Sequence, residues 1–378
     1  MAKVYDNATD LITFARLQSQ NTTSGSSYLG SDGLLKFAAE DEPRIEYGSD
    51  GSLKGLLIEE QRTNLVPYSE DFSNAAWLKV GTVAIDSTLV TGPDGTLSGR
   101  KVLNLNAASG DRLTGTVSVT NSTITGSFWV KGDGANIGKD VLMSVKRSGG
   151  TFAGSANVTH TLTSEWVRLD ATFTQLPDNT GAIVVLGSPS TNSASEVLIY
   201  GAQLEAGSFA TSYIPTSGSQ QTRSADVASI PVTAFGYNQD AGTIVVEYGA
   251  YNVGAVGASI VLVTDNPVSN DFVLVYADTS DTIMDVKDNG VRQALFSVSG
   301  DRRTTGGIAG IAMKDNAFAS TVDGSAPQTD NSGTIPTGVS VVRIGSWASN
   351  PAYLNGHIKS LKYYPRRLTD AQLQELTA

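Results

Sequence analysis

The sequence predicts a mainly β protein: two tandem β-sandwiches of jelly-roll type behind an extended N-terminal segment, closed by a short C-terminal helix. Three observations lead there. Charged residues make up only 17% of the 378 positions while glycine contributes 39, a balance that suits sheets with many turns better than helical bundles. Apolar and polar residues alternate with a period of two in one short stretch after another, with almost no helical periodicity. Asp-Gly and Asn-Gly pairs, which tolerate the positive φ of tight turns, punctuate those stretches.

Residues 1–65 carry scattered apolar positions and two "GSDG" turns, at Gly30–Gly33 and Gly48–Gly51, before "LKGLLIEEQRTNL" reads as a short strand leaving a loop. The block is too thin in apolar residues for a core of its own. It is expected to be an extended segment packed on its neighbour, or a docking segment for a partner protein. Residues 66–215 hold stronger strand signals. In "GSFWVKG" the alternation sends Phe128 and Val130 to one face and Trp129 to the other. "EWVRLDATFT" separates Val167, Leu169, Ala171 and Phe173 from Arg168, Asp170 and Thr172, and "EVLIYGAQLEAG" reads as a closing strand. Residues 216–225, "TSGSQQTRSA", have no buried pattern and read as a linker.

The second sandwich is expected over residues 226–378. Ile244, Val246 and Tyr248 oppose Val245 and Glu247, and Phe272, Leu274 and Tyr276 oppose Val273 and Val275. Asn289-Gly290 and Asp323-Gly324 predict hairpins. In the tail, Thr369 and Gln372 form a capping-box pair and Leu368 can staple against Leu373, so a helix starts there.

A formal net charge of −11 gains nothing from counterion release, which argues against nucleic acid as a partner and against anionic membrane surfaces. No apolar run approaches the roughly 18 residues of a membrane span, so no membrane insertion is expected. The start "MAKVYDNATDLITFAR" lacks the basic and apolar regions of a secretory signal, and cysteine is absent, so synthesis in a cytosol is expected.

Several stretches together resemble a known group. "LVPYSEDFSNAAWLKVG", "GSFWVKG", "EWVRLDATFT" and "VLIYGAQLEAGSFATSYIPT" resemble a module of bacteriophage virion proteins that is similar to jelly-roll carbohydrate-binding modules. "LITFAR", "YLGSDGLLKFAAEDEPRIEY" and "GLLIEEQRTNL" resemble the segment that precedes it. "DFVLVYAD", "NAFASTVDG", "VVRIGSW" and "LNGHIKSLKYYPRRLTDAQLQEL" resemble a concanavalin A-like, laminin-G-like sandwich. The resemblance implies a tail-fibre, minor-tail or head-decoration protein of the virion, made in the host cytoplasm. It would bind other virion proteins through its N-terminal segment and take part in host attachment, and it would self-associate as such proteins often do. It also admits structural calcium without placing the ligands, Glu70, Asp71 and Glu205 being candidates in the first sandwich.

The residues offer little for catalysis. The two histidines, His160 and His357, cannot assemble a triad or a multi-histidine metal site within one subunit, and both are expected at strand edges or surfaces. Asp278, Asp281, Asp285 and Asp288 lack the spacing of a calcium loop, and the stretch from Asp285 to Gly290 reads as a solvated hairpin turn. "SGDRRTTGGIAG" lacks the Lys-Ser/Thr ending of a phosphate loop. Sugar recognition needs aromatic rings for the apolar pyranose face and polar groups for the hydroxyls. Trp77 and Trp166 sit in apolar contexts that suit packing. Trp347, with Asn350 and Tyr353 in the loop "GSWASNPAY", is the first candidate for glycan contact, and Trp129 the second. The expected function is a non-enzymatic virion structural protein whose sandwiches contact host surface polysaccharide. A purely structural decoration or spacer is the alternative, and a polysaccharide depolymerase ranks third because no carboxylate pair lies among aromatics.

Overall fold

The computed structural model describes residues 13–15, 26–119, 123–148, 154–174, 181–253, 257–265, 271–347 and 352–378. The alternating stretches form antiparallel strands, and among the described residues the one α-helix is Asp370–Leu376. The architecture is mainly β, in tandem sandwiches. The chain divides into two compact units, one holding residues 26–39 with Gln61–Ser224, the other Glu40–Glu60 with Ala225–Ala378 and the strand Thr13–Ala15.

In the first unit a five-stranded sheet runs in the order Ser155–Thr161, Asp140–Ser148, Gly181–Gly187, Arg112–Ser118, Trp77–Val80. A second sheet runs Val167–Thr174, Thr123–Lys131, Val197–Ala206, Leu97–Leu103, Ala84–Ile85. The predicted alternation holds: Ile124, Phe128 and Val130 are fully buried and join Met143, Val184, Leu186 and Leu113 in one core. Trp77 belongs to that core as expected, its ring 5.0 Å from Phe72 and 5.9 Å from Phe128, with its indole N–H donated to the Tyr68 carbonyl at 2.7 Å. Gly115 makes room for it, since a Cβ there would lie 2.7 Å from the indole ring. Gly201, at φ +61, sits in a bulge of the closing strand where the register against Thr123–Lys131 shifts. The extra residue sends Ala202 and Leu204 inward after Ile199 and leaves Tyr200, Gln203 and Glu205 on the outer face.

The expected linker is structure instead. Gln221–Arg223 pairs antiparallel with Arg62–Asn64, and Thr216 and Arg223 are buried. A segment whose one apolar residue is Ala225 packs here because its side chains close backbone hydrogen bonds. Thr216 Oγ1 donates to the Val66 carbonyl at 2.7 Å and its amide donates to Ser69 Oγ at 2.8 Å.

In the second unit one seven-stranded sheet runs Thr13–Ala15, Val227–Pro231, Val341–Ile344, Ala258–Thr264, Phe272–Ala277, Asp281–Asp288, Val291–Ser299. The other runs Gln328–Asp330, Ala317–Val322, Gly307–Lys314, Ala241–Tyr251, Gly356–Tyr364, Leu53–Ile58, Ile45–Tyr47. Residues 1–65 are therefore not one separate block. Leu56 and Ile58 enter the core of this sandwich beside Val246, Ile311 and Phe318. Strands from this stretch complete its sheets, because a sheet edge left unpaired and an apolar face left open both cost free energy.

A buried ion cluster locks that insertion. Arg44 Nη1 lies 2.7 Å from Glu59 Oε2, and Nη2 donates to Asp226 Oδ2, which also accepts the Glu59 amide at 2.9 Å. All three side chains are buried. Burial opposes the charge on Arg44, yet the two carboxylates hold its pKa above the ordinary arginine value. The C-terminal helix keeps its predicted capping box, Thr369 with Gln372, and Leu373 packs on Val245, Ala312 and Ala319.

Candidate ligand-binding faces

The outer face of the second unit's first sheet follows from strand parity. Val273 and Val275 point into the core, so Phe272, Leu274 and Tyr276 point out, and each faces its cross-strand partner: Thr264, Leu262 and Ser259 respectively. Arg343 stands opposite Leu262 on the other side. Trp347 packs onto this face against Leu262, Phe272 and Leu274, its ring 5.5 Å from that of Phe272 in an edge-to-face arrangement. On the far side Asp285 pairs bidentately with Arg292, Nε to Oδ1 at 2.9 Å and Nη2 to Oδ2 at 2.8 Å. Lys287 Nζ sits 5.2 Å from the Phe272 ring centroid.

Three polar atoms on and around this face are buried without a hydrogen-bond partner among the described residues: Ser259 Oγ, Arg343 Nε and Trp347 Nε1. Each such group costs about 1–3 kcal/mol relative to a satisfied one. All three atoms are closed off from solvent, Ser259 being only 1% exposed, while the Trp347 ring itself is half-buried on the face.

The outer face of the first unit's second sheet carries an aromatic cluster of a different kind. Trp129, Tyr200 and Tyr213 meet edge to face with ring centroids 5.4 to 5.9 Å apart. Leu35 and Phe37, from the hairpin Ser26–Leu29 with Leu35–Ala38, pack on them together with Trp166. The Arg168 guanidinium lies 4.5 Å from the Trp129 ring centroid and is fixed by the Thr211 carbonyl at 2.7 Å and Ser127 Oγ at 2.9 Å. Tyr200 and Tyr213 are closed off from solvent. Glu70 accepts from the Tyr213 hydroxyl at 2.8 Å. Its partial burial among these rings raises its pKa, and hydrogen bonds from Tyr213 and Tyr200 offset only part of that rise.

The sequence-predicted residues are dispersed over these surfaces. Trp347 is on the second unit's outer face, half-buried. Tyr353 packs instead on that unit's main core, where burial first and then the charges of Asp226 and Glu60 raise its pKa. Asn350 lies outside the described residues. Trp129 is half-buried in the first unit with Arg168 over its ring. His160 sits on the edge strand Ser155–Thr161, and His357 Nε2 lies 2.6 Å from Glu46 Oε2. Asp285 is not part of a solvated turn: it is a buried strand residue, and the turn is confined to Asn289 and Gly290, at φ +51 and +76.

Among the described residues no group of three or more histidine or acidic side chains is placed to hold a metal ion. Glu205 accepts from the Thr211 amide and hydroxyl at 2.8 and 2.7 Å and from Gln203 Nε2 at 2.9 Å, and Asp71 accepts from Ser73. Sequence reasoning missed Ser259 and Arg343. Their positions opposite Tyr276 and Leu262 are a matter of register, for which the sequence carries no signal.

No family model matches the chain, and no curated protein matches it. Among solved structures, the chain is similar to the CBM40 of a Ruminococcus gnavus IT-sialidase bound to α2,6-sialyllactose, at 15% identity and a TM-score of 0.32, over 37% of this chain and 85% of that one. It is similar to the CBM22-1–CBM22-2 tandem of Paenibacillus barcinonensis Xyn10C at 12% identity and 0.33, over 81% and 99%. Domains LG4-5 of the mouse laminin α1 chain match at 9% and 0.26, over 83% and 94%. Likeness at this level assigns neither ligand nor origin to this chain.

Proposed function

We propose that this protein is a non-catalytic glycan-binding component of a bacteriophage virion, and that it holds its ligand on the Trp347 face of the second unit. The observation that carries the binding reading is the half-buried Trp347 ring, which packs on Leu262, Phe272 and Leu274 on a sheet face flanked by Arg343 and Lys287. An indole offers an apolar surface to a pyranose, and the guanidinium and ammonium groups flanking it offer hydrogen bonds to its hydroxyls. Weak single sites suffice where many copies act together. The virion assignment rests on the resemblance of the quoted segments, and so do docking through the N-terminal stretch and self-association.

The aromatic cluster of the first unit favours a spacer role for that unit, because its own residues Leu35, Phe37 and Arg168 occupy the rings. Retention of the purified chain on a panel of immobilised bacterial surface polysaccharides tests the binding reading. Trp347→Ala is expected to weaken retention about tenfold, equivalent to about 1.4 kcal/mol, with an unchanged melting temperature for the first unit. Trp347→Phe, which keeps a ring and removes the N–H, is expected to fall between. Binding that survives Trp347→Ala moves the site elsewhere, and no retention by any polysaccharide leaves the structural reading in place. Peptides of this chain are expected in particles purified after host lysis, and their absence there overturns the virion assignment.

A further inference from the structure

We infer that the ligand of the Trp347 face is an acidic saccharide, recognised through a carboxylate by Arg343. The inference rests on the glycan reading above and adds the chemical class. Its basis is the charge arrangement. Arg343 stands in Val341–Ile344 directly opposite Leu262, on which the Trp347 ring packs, so both border the same apolar strip. The side chain is half-buried. No carboxylate forms an ion pair with it among the described residues, and since its Nε is closed off from solvent, the two Nη groups are the donors left to meet a ligand.

A guanidinium partly withdrawn from water without an acid loses hydration that nothing returns, and a ligand carboxylate is the group whose planar geometry matches its donor fork. The other free cation of the face, Lys287, stands over Phe272 on the opposite flank of the aromatic patch. It too has no carboxylate within ion-pair distance among the described residues. Of the acids on this face, Asp285 is committed to Arg292 through both oxygens, and Asp281 stands at the far end of its strand, opposite Ser299. The patch therefore carries two unneutralised positive charges in a chain of net charge −11. A neutral saccharide would leave both uncompensated. A generic polyanion would be repelled by the rest of the surface and has no use for the indole.

The test uses the full chain and an array of uronate- and sialate-bearing glycans, each printed beside its methyl ester, with dextran sulfate and neutral galactan alongside. The expected result is binding to one or more carboxylated glycans and about tenfold weaker binding to the matched esters. Arg343→Gln is expected to abolish that preference, and Arg343→Lys to keep the charge but lose most of the affinity, because the bidentate fork is gone. Lys287→Gln is expected to reduce affinity by a smaller factor and to flatten the salt dependence. Equal binding to acids and esters, unaffected by Arg343→Gln but lost in Trp347→Ala, overturns the acidic class and leaves the glycan reading standing. Binding to dextran sulfate as strong as to the carboxylated glycans, and indifferent to Trp347→Ala, overturns the inference in favour of unspecific ion exchange. Failure to bind every glycan, with both variants folded by their melting curves, overturns the inference together with the reading it rests on.

Discussion

Arg44 and Glu70 show two ways in which a charged side chain lives inside this protein. Arg44 is fully buried but faces Glu59 and Asp226, so removing it strands two carboxylates. Arg44→Ala is expected to destabilise the second unit by about 3–5 kcal/mol, read from urea midpoints followed by a probe in that unit. Glu70 is held among tyrosines with no cation paired to it among the described residues, and burial raises its pKa. The folded state thus binds this proton more tightly than the unfolded state. The stability it contributes is full below the ordinary carboxylate pKa and is lost as pH rises through that value and through the raised one. Glu70→Gln is expected to remove this slope and to leave the first unit more stable than wild type at neutral pH. Melting temperatures across roughly pH 3 to 8, chosen to bracket the ordinary carboxylate range, check it, and identical slopes for the two proteins would sink the idea. Trp347 could be singled out from sequence because an aromatic in a loop among amides is a chemical signal. Arg343 could not, since an arginine alternating with valines looks like any solvated strand face.

At the level of elements, alternation was a faithful guide wherever one face of a strand meets a core. Phe128 and Val130 share a face opposite Trp129 as expected, and the structure makes that face the core, with Leu169 and Ala171 also turned inward, while Asn289-Gly290 turned the chain as a two-residue hairpin with both φ angles positive. Alternation failed at the closing strand, where the bulge at Gly201 reverses which residues face out. It also failed for the stretch 216–225, where hydrogen bonding by Thr216 and the pairing of Gln221–Arg223 replace apolar burial. Gly55 is an element-scale requirement of the same kind. It has φ +115, and a Cβ would lie 2.3 Å from the Ile358 carbonyl oxygen of the adjacent strand. Gly55→Ala is expected to cost about 1–3 kcal/mol from backbone strain alone, with faster hydrogen exchange along Leu53–Ile58 and Gly356–Tyr364 as the readout.

For the molecule as a whole, the chain visits the second unit before it builds the first, since residues 40–60 supply strands to a sandwich whose other strands follow residue 225. A fragment beginning at residue 66 would therefore lack Ile45–Tyr47 and Leu53–Ile58, the core side chains Leu56 and Ile58, and both Arg44 and Glu59 beside Asp226. Such a fragment also lacks the first unit's hairpin Ser26–Leu29 with Leu35–Ala38 and its strand Arg62–Asn64, so it is expected to keep a first-unit melt at a lowered temperature and to lose that of the second, measured by near-ultraviolet circular dichroism and calorimetry. A native second-unit transition in that fragment would return residues 1–65 to the role of a removable extension.

By itself, the sequence determined the mainly β class, the two sandwiches, the inward faces of most strands, the tight turns and the capped terminal helix. These follow from local rules, because period, turn chemistry and capping act between residues a few positions apart. Only the tertiary structure decided that residues 40–60 belong with the C-terminal sandwich, that Arg44 meets Asp226 across 182 positions, and that Ser259, Arg343 and Trp347 share a face. Those pairings are set by strand order and register, where the free energy comes from closing sheet edges and burying faces between segments distant in the chain. No local pattern records which distant segment will do so.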